Sequence, residues 1–250
     1  MRVLIAPNAF KNSLDATDVA AAIREGLENS RLECTTECFP IGDGGDGTAQ
    51  LILKKFNGKI IETEVSDPLG KKIKASFGLI DHGETAIIEM ADASGIRLLN
   101  QAKLNTLQAN SFGTGQMIAA ALNQGVNKII IGLGGSATVD GGAGLLCALG
   151  ARFLDSKGKE LKPVPEVLSG LADIDISGIN QRIFDCEIIA LCDVSNYLLG
   201  PEGAAAVFGP QKGAQPADVP GLEMVLQKIN EIASASGLGD MNAVKHGGAA

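Results

Sequence analysis

The sequence predicts an α/β protein, because segments with helical periodicity alternate along the chain with short apolar segments typical of buried strands. A second observation is that glycine-rich turns follow several of the apolar segments, as they do at the strand ends of open α/β sheets. The third is size, since 250 residues with 45% hydrophobic content can bury one large core or two small ones. Chain-wide disorder is thereby excluded.

The N-terminal part alternates strand and helix, with strands predicted at residues 2–6 and 33–39 and helices from about residue 16 and at residues 49–55. In the first helix, Val19, Ile23 and Leu27 recur every four residues, so they lie on one face.

Three strands of a meander follow, predicted at residues 59–65, 71–79 and 85–89. The turns between them are Asp67-Pro-Leu-Gly70 and His82-Gly83, which combine residues that favour chain reversal. Because the alternation of strand and helix stops here, we predict a domain boundary near Ser66.

The rest of the chain returns to alternation. The predicted elements are a helix at residues 114–124, a strand at 128–131, a helix at 143–149, a strand at 187–191 and a helix at 219–235. Residues 203–208 form a segment of small residues, and residues 158–183 indicate only helix and loop.

Composition excludes several functional classes. A net charge of −8, no Trp and a single Tyr leave neither a basic stripe nor stacking platforms for nucleic acid. The N-terminus lacks the pattern of a signal peptide, and no apolar run reaches the length of a membrane span, so we expect a cytoplasmic protein with no membrane partner. Five cysteines without a C-x-x-C pair are expected to be reduced, and two histidines make a zinc site or a Ser-His-Asp triad hard to assemble.

The strongest functional signal is a glycine-rich turn after the predicted strand at residues 128–131, within Gly132-Leu-Gly-Gly-Ser-Ala-Thr-Val-Asp-Gly-Gly142. A turn of this kind, placed where a helix begins, directs backbone N–H groups at an anion. We therefore predict a phosphate site at Gly134 and Gly135. Ser136, Thr138 and Asp140 would then serve phosphate oxygens or Mg²⁺.

Two further clusters have the same character. Asp43-Gly-Gly-Asp-Gly-Thr48 follows the second predicted strand, and Cys192-Asp-Val-Ser-Asn196 follows the strand at residues 187–191. Both place carboxylates at the carboxyl end of a strand, where open α/β sheets bind ligands.

These clusters together resemble the bacterial glycerate kinase family. The resemblance rests on five motifs in the order found in that family, together with Ile88-Glu-Met-Ala-Asp-Ala-Ser-Gly95 and Ser111-Phe-Gly-Thr-Gly115. The five are Ala6-Pro-Asn-Ala-Phe-Lys-Asn-Ser13, Asp43-Gly-Gly-Asp-Gly-Thr48, Gly134-Gly-Ser-Ala-Thr-Val-Asp-Gly-Gly142, Cys192-Asp-Val-Ser-Asn196 and Phe208-Gly-Pro-Gln-Lys-Gly213. The chain departs from the family pattern at Asn8, Val139 and Tyr197, where Asp, Asn and Pro are usual.

The resemblance implies phosphorylation of D-glycerate by ATP and Mg²⁺, at the 2-hydroxyl, although the residues alone leave 3-phosphoglycerate open. It also implies two domains, a Rossmann-like domain interrupted by a second α/β domain. Residues 1–65 would begin the first domain and residues 66–250 would form the inserted one. Members of the family continue past the position of residue 250, so we expect these residues to have little kinase activity alone. An uncovered N-terminal edge would then pair in a homo-oligomer, unless the chain is a portion of a longer protein.

Kinase chemistry requires positioned anions, cations that neutralise phosphate oxygens and a base for the hydroxyl proton. We predict that Asp193 binds Mg²⁺ or acts as the base, and that Asp140 is a second metal ligand. Lys11 and Lys212 are predicted to contact phosphate or the substrate carboxylate. The predicted residues that bind glycerate or nucleotide are Ser13, Asp43, Gly44, Gly45, Asp46, Gly134, Gly135, Ser136, Thr138, Asp140 and Asn196.

Two other functional classes stay open at this point. Residues 132–137 satisfy the dinucleotide pattern G-x-G-x-x-A, and Asp155 follows about 20 residues later, as an NAD-dependent oxidoreductase requires. A metabolite-binding regulator without catalysis is favoured only by the departures at Asn8 and Val139.

Overall fold

The structure is a computed structural model, and it describes residues 1–10, 13–45 and 47–249. The α/β class is confirmed. The described strands are β1 Arg2–Ile5, β2 Thr35–Cys38, β3 Lys59–Ser66, β4 Lys72–Ile80, β5 Thr85–Glu89, β6 Lys128–Gly132, β7 Arg152–Asp155, β8 Leu171–Asp175 and β9 Glu187–Leu191. The described α-helices are α1 Ala16–Glu28, α2 Thr48–Phe56, α3 Ala91–Ser94, α4 Phe112–Asn123, α5 Ala143–Ala148, α6 Pro165–Leu168, α7 Ala204–Phe208 and α8 Val219–Ala235.

The central feature is a five-stranded mixed sheet in the order β3-β4-β5-β6-β9. The first three strands are antiparallel neighbours, as the meander pattern predicts, and β5, β6 and β9 run parallel. The register pairs Glu89 with Gly132 and Gly132 with Leu191. The carboxyl ends of β5, β6 and β9 therefore lie side by side at one edge of the sheet.

Helices cover both faces of this sheet. Because side chains alternate across a strand, Ile88 of β5 faces the larger core with Met117 and Leu122 of α4. Its neighbour Ile87 faces the opposite side and packs with Leu53 of α2. Strand β5 is consequently buried on both faces, which explains why its central residues Ala86-Ile-Ile88 are all apolar rather than alternating with polar ones.

Two smaller sheets flank the central one. Strands β1 and β2 form a parallel pair, and β7 and β8 form an antiparallel pair. Strand β3 pairs with β4 along its whole length, so the residues before the predicted boundary at Ser66 share a sheet with the residues after it. The division into domains stays a prediction.

Most predicted elements lie within two residues of their observed positions. The strand at Glu187–Leu191 and the helix at Val219–Ala235 have the predicted bounds. Strand β8, Leu171–Asp175, lies in the segment predicted as helix and loop. Its sequence Leu-Ala-Asp-Ile-Asp has acidic residues at two of five positions and faces the core only through Leu171 and Ile174, so the strand signal is weak.

A membrane-spanning role has no support in the described part of the chain, where every helix is too short or too polar to cross a bilayer.

Candidate functional site

Two of the three predicted clusters meet at the carboxyl ends of the parallel strands. The chain leaves β6 at Gly132 and β9 at Leu191, and the two exits are joined by a hydrogen bond from Leu133 N to Leu191 O at 3.0 Å. The motif at residues 88–95 lies beside them, since Ala137 N donates to Ser94 O and Ile96 N donates to Gly135 O, each at 2.9 Å. The glycine-rich turn is thus held by its neighbours on both sides.

The third cluster, at Asp43, packs against the same edge. Gly134 N donates to Gly44 O at 3.1 Å. A Cβ on Gly44 would lie 2.6 Å from Leu191 O, and the φ of Gly44 is +90°, which favours glycine. A Cβ on Gly134 would lie 2.5 Å from Gly45 Cα. These two glycines let the loops of all three clusters come into backbone contact.

The loop at Asp43 is ordered by side-chain contacts of its own. The Asp43 carboxylate accepts a hydrogen bond from Asn8 Nδ2 at 2.6 Å and one from Gly45 N at 2.9 Å. The amide of Asn8 can donate this hydrogen bond to Asp43. An aspartate at position 8 could not, because it would place a second carboxylate beside that of Asp43. Ser13 is exposed in the turn after Phe10. Lys11 and Asp46 lie outside the described residues.

Lys212 and Ser136 form a buried pair below the glycine-rich turn. Lys212 is 5% exposed, and its ammonium donates to Ser136 Oγ at 2.8 Å and to Thr138 O at 2.6 Å. Thr138 Oγ1 is buried without a hydrogen-bond partner among the described residues. Lys212 thus connects the strand-to-helix turn to the segment at residues 209–213. The third N–H group of its ammonium has no acceptor among the described residues.

Burial lowers the pKa of Lys212 to about 8, against the opposing influence of the Asp140 charge. The unfolded chain keeps this proton up to about pH 10.4, the ordinary lysine value. Between these two values the unfolded state binds more protons than the folded state, so the group makes stability rise with pH. At pH values below the pKa of Lys212 in the folded protein, the folded state bears the full desolvation cost of the buried ammonium.

We therefore predict that the unfolding free energy of the wild type, relative to Lys212→Met, increases as the pH rises from about 7 to 10. Other titrations cancel in this difference, because both proteins share them. Urea denaturation of the two proteins at several pH values measures it. If the difference in unfolding free energy between the two proteins stays constant over this pH range, the pKa of Lys212 is not lowered in the folded protein.

Asp140 has a structural environment that differs from the predicted metal site. It is 1% exposed, and Oδ2 accepts from Ser111 N and Ser111 Oγ, both at 2.8 Å, and from Gly144 N at 3.0 Å. Oδ1 accepts from Gly142 N at 3.3 Å. Burial raises the pKa of Asp140, while these hydrogen bonds lower it. The carboxylate caps the starts of both α4 and α5.

For this reason the N-terminus of α5 is not free to bind phosphate, contrary to what the sequence predicts. The first N–H groups of α5 are directed at Asp140, which already occupies the place of an anion. The glycine-rich turn itself is different, because no acceptor among the described residues contacts the N–H groups of Gly135 and Ser136. These two donors, rather than the helix end, are available to an anion.

The start of α2 is capped in the same way, by Glu89 at the end of β5. Its Oε1 accepts from Ala49 N at 2.6 Å and its Oε2 from Gly47 N at 3.2 Å. Both Glu89 and Ser111 lie within motifs of the sequence, but the sequence alone assigns neither of them a role. The signals were a buried-strand carboxylate and a serine before a helix, both common outside functional sites.

The cluster that follows β9, at residues 192–196, contributes one free carboxylate. Asp193 is exposed, with no hydrogen bond or ion pair to any described residue. Asn196 differs, since its Nδ2 donates to Glu202 O at 2.6 Å and its backbone oxygen accepts from Gly248 N. The amide therefore supports the following turn, and its predicted contact with a ligand stays a prediction.

The residues fit a magnesium ion only when a nucleotide supplies further ligands. Among the described residues, no three His, Cys, Asp or Glu side chains lie close enough to hold a metal. Mg²⁺ commonly binds one or two carboxylates together with substrate phosphates and water. Asp193 suits this arrangement because its oxygens are free, whereas those of Asp140 are engaged by four donors.

The dinucleotide interpretation does not fit the structure. Helix α5 begins at Ala143, so the G-x-G-x-x-A segment at residues 132–137 does not open a helix as that fingerprint requires. Asp155 ends β7, which belongs to the separate antiparallel pair.

Val139 is fully buried and packs with Leu198 and Leu222, so an apolar residue suits its position.

The fold and site define an α/β protein in which a glycine-rich turn with two N–H groups unused by described residues and the carboxylate of Asp193 lie at the carboxyl ends of parallel strands. The chain belongs to the glycerate kinase family, whose family model matches residues 3–250. The comparisons support neither the oxidoreductase nor the regulator.

Relatives and a solved structure agree with this membership. The chain is 46% identical over 233 residues to the glycerate kinase of Bacillus subtilis (strain 168), covering 93% of this chain and 60% of that protein. It is 42% identical over 250 residues to the glycerate 2-kinase of Escherichia coli (strain K12), covering 100% of this chain and 66% of that protein. A crystal structure named for a glycerate kinase 2 from Salmonella typhimurium LT2 superposes with a TM-score of 0.87 at 42% identity, covering 99% of this chain and 66% of that one.

The chain therefore spans about 60% to 66% of the length of these relatives.

Proposed function

We propose that this chain carries the phosphoryl-transfer site of a glycerate kinase, which uses ATP and Mg²⁺ to form 2-phosphoglycerate. The observation that carries the proposal is the backbone contact of two glycine-rich loops and the loop after β9 at one sheet edge, through Gly134 N to Gly44 O and Leu133 N to Leu191 O. Family membership supplies the acceptor, since relatives are named glycerate kinase and glycerate 2-kinase.

Each group has a task in this reaction. The N–H groups of Gly135 and Ser136 would bind phosphate oxygens, and Lys212 would fix the turn from below through Ser136. Asp193 would hold Mg²⁺, which screens charge on the transferred phosphoryl group, or take the proton of the attacking hydroxyl. Lys11 remains a proposed phosphate contact.

A small cavity next to these loops has a size that suits a small acceptor. It measures about 230 Å³ and lies between α1 and α2, beside Asn8 and Gly47, with Gln50 and Lys54 in its lining. Because drug-sized ligands occupy cavities of roughly 300–1,000 Å³, a three-carbon acid is a better match. Lys54 would face its carboxylate, and Asp15 and Asp18, which also line the cavity, could accept from its hydroxyls.

The finer parts of the proposal follow from the family. We propose an interrupted Rossmann-like domain that residues 1–65 begin and a second α/β domain formed by residues 66–250. A homo-oligomer and a cytoplasmic location belong to the same proposal. Each needs its own measurement.

Ligand-dependent thermal stability tests the function. ATP with Mg²⁺ is expected to raise the melting temperature, because a ligand that binds only the folded state stabilises it by mass action. NAD is expected to have no effect, and ATP without Mg²⁺ a smaller one. Stabilisation by NAD alone, or by glycerate with no response to ATP and Mg²⁺, would contradict the kinase in favour of the two alternative classes.

A further inference from the structure

Glu89 stands at the sheet edge where the loops meet, yet it belongs to none of them. It is the last residue of β5 and is 6% exposed. Both carboxylate oxygens are used, on Ala49 N at 2.6 Å and on Gly47 N at 3.2 Å, across about 40 residues of sequence. The contact links the central sheet to the segment that follows Asp43.

This contact is an unusual way to cap a helix. Caps are ordinarily supplied by the Ser, Thr, Asp or Asn at the cap position. Here that position is Gly47, with a φ of +86° and no side chain. Burial raises the pKa of Glu89, so its charged form is held at a cost in desolvation. Asp92 and Arg97 are the charged neighbours, with opposing influences on that pKa.

The hydrogen bonds of Glu89 fix one of the two ends of the Asp43 loop. At its start, the loop is fixed by Asn8 on Asp43 and by Gly134 on Gly44. At its end, the described hydrogen bonds from another element are those of Glu89 on Gly47 and Ala49. Without Glu89, the described hydrogen bonds would anchor the loop on one side only, and the N–H groups of Gly47 and Ala49 at the start of α2 would lose their acceptor.

We propose that Glu89 is a positioning residue of the phosphoryl-transfer site, which holds the Asp43 loop against the ends of β6 and β9 without touching substrate. The inference rests on the proposed function. Small displacements of positioned groups cost reaction rate steeply, so the carboxylate acts on catalysis through the loop.

Three variants of the full-length protein test this role. Glu89→Ala removes both acceptors, and Glu89→Gln keeps one acceptor but turns an NH₂ group toward a backbone N–H. Glu84→Ala is the matched control, because Glu84 is an exposed glutamate just before β5. Amide hydrogen exchange over residues 43–49 is measured with glycerate kinase kinetics, both well below the melting temperature of each variant.

We expect Glu89→Ala to speed exchange at Gly47 and Ala49 and to lower kcat by roughly tenfold to a hundredfold, with a smaller change in KM for ATP. Glu89→Gln should fall between Ala and wild type, and Glu84→Ala should match wild type. If exchange or kcat of Glu89→Ala equals that of an active wild type, the positioning role is wrong. A wild type without turnover would instead overturn the proposed function, and the exchange rates would still report whether Glu89 holds the loop.

Discussion

Asp140→Ala is expected to lower the free energy of unfolding by about 3–5 kcal/mol, because it removes the acceptor of a buried polar network. Four donors lose their partner at once, from Ser111, Gly142 and Gly144. These donors lie where α4 and α5 begin, so both helix starts lose their shared cap. The Ser111 hydroxyl also accepts from Leu145 N, which extends the loss into the first turn of α5.

Urea denaturation measures this effect. The control is Asp185→Ala, which removes an exposed carboxylate of the same size and should change stability by less than about 0.5 kcal/mol. If the free energy of unfolding of Asp140→Ala lies within about 1 kcal/mol of the wild-type value, as for an ordinary substitution, the four hydrogen bonds contribute little to stability. Asp140 could then be available to a metal, as the sequence predicts.

Asp193→Asn is expected to lower kcat by about a hundredfold or more, the usual range for a group that acts on charge or protons in the transition state. The substitution keeps size and removes the charge. Because Asp193 is exposed and makes no hydrogen bond or ion pair with a described residue, thermal stability should change little. KM for ATP should rise less than kcat falls.

Steady-state kinetics across Mg²⁺ concentrations test the assignment, with Asp185→Asn as the control for a lost exposed carboxylate. A higher Mg²⁺ requirement in Asp193→Asn would identify metal binding, while an unchanged requirement with low kcat would favour the base. Near wild-type kcat would remove Asp193 from the site.

Local patterns predicted the secondary structure well. Strand β9 and helix α8 have their predicted bounds, since apolar runs and four-residue periodicity are properties of the neighbouring sequence. Strand β8 was missed, because its two buried residues leave little pattern to detect. The loops were also located correctly relative to the strands, as turn chemistry is equally local.

The roles of charged side chains within the site were harder to predict. Asp140 and Glu89 satisfy backbone groups that come from distant parts of the chain, and such partners leave no local signature. The same glycine-rich sequence can direct helix N–H groups at a ligand or at a buried carboxylate. Here the starts of α2 and α5 are capped by Glu89 and Asp140. The N–H groups without an acceptor among the described residues lie earlier in the turn, at Gly135 and Ser136.

Phosphoryl transfer itself is the most direct test of the central claim. ³¹P NMR of the full-length protein with ATP, Mg²⁺ and D-glycerate should show ADP and the phosphomonoester signal of 2-phosphoglycerate forming together. Neither signal should grow when D-glycerate or Mg²⁺ is omitted. ATP that remains intact in the complete mixture, while the folded protein is present, would contradict the assignment of this site to a glycerate kinase.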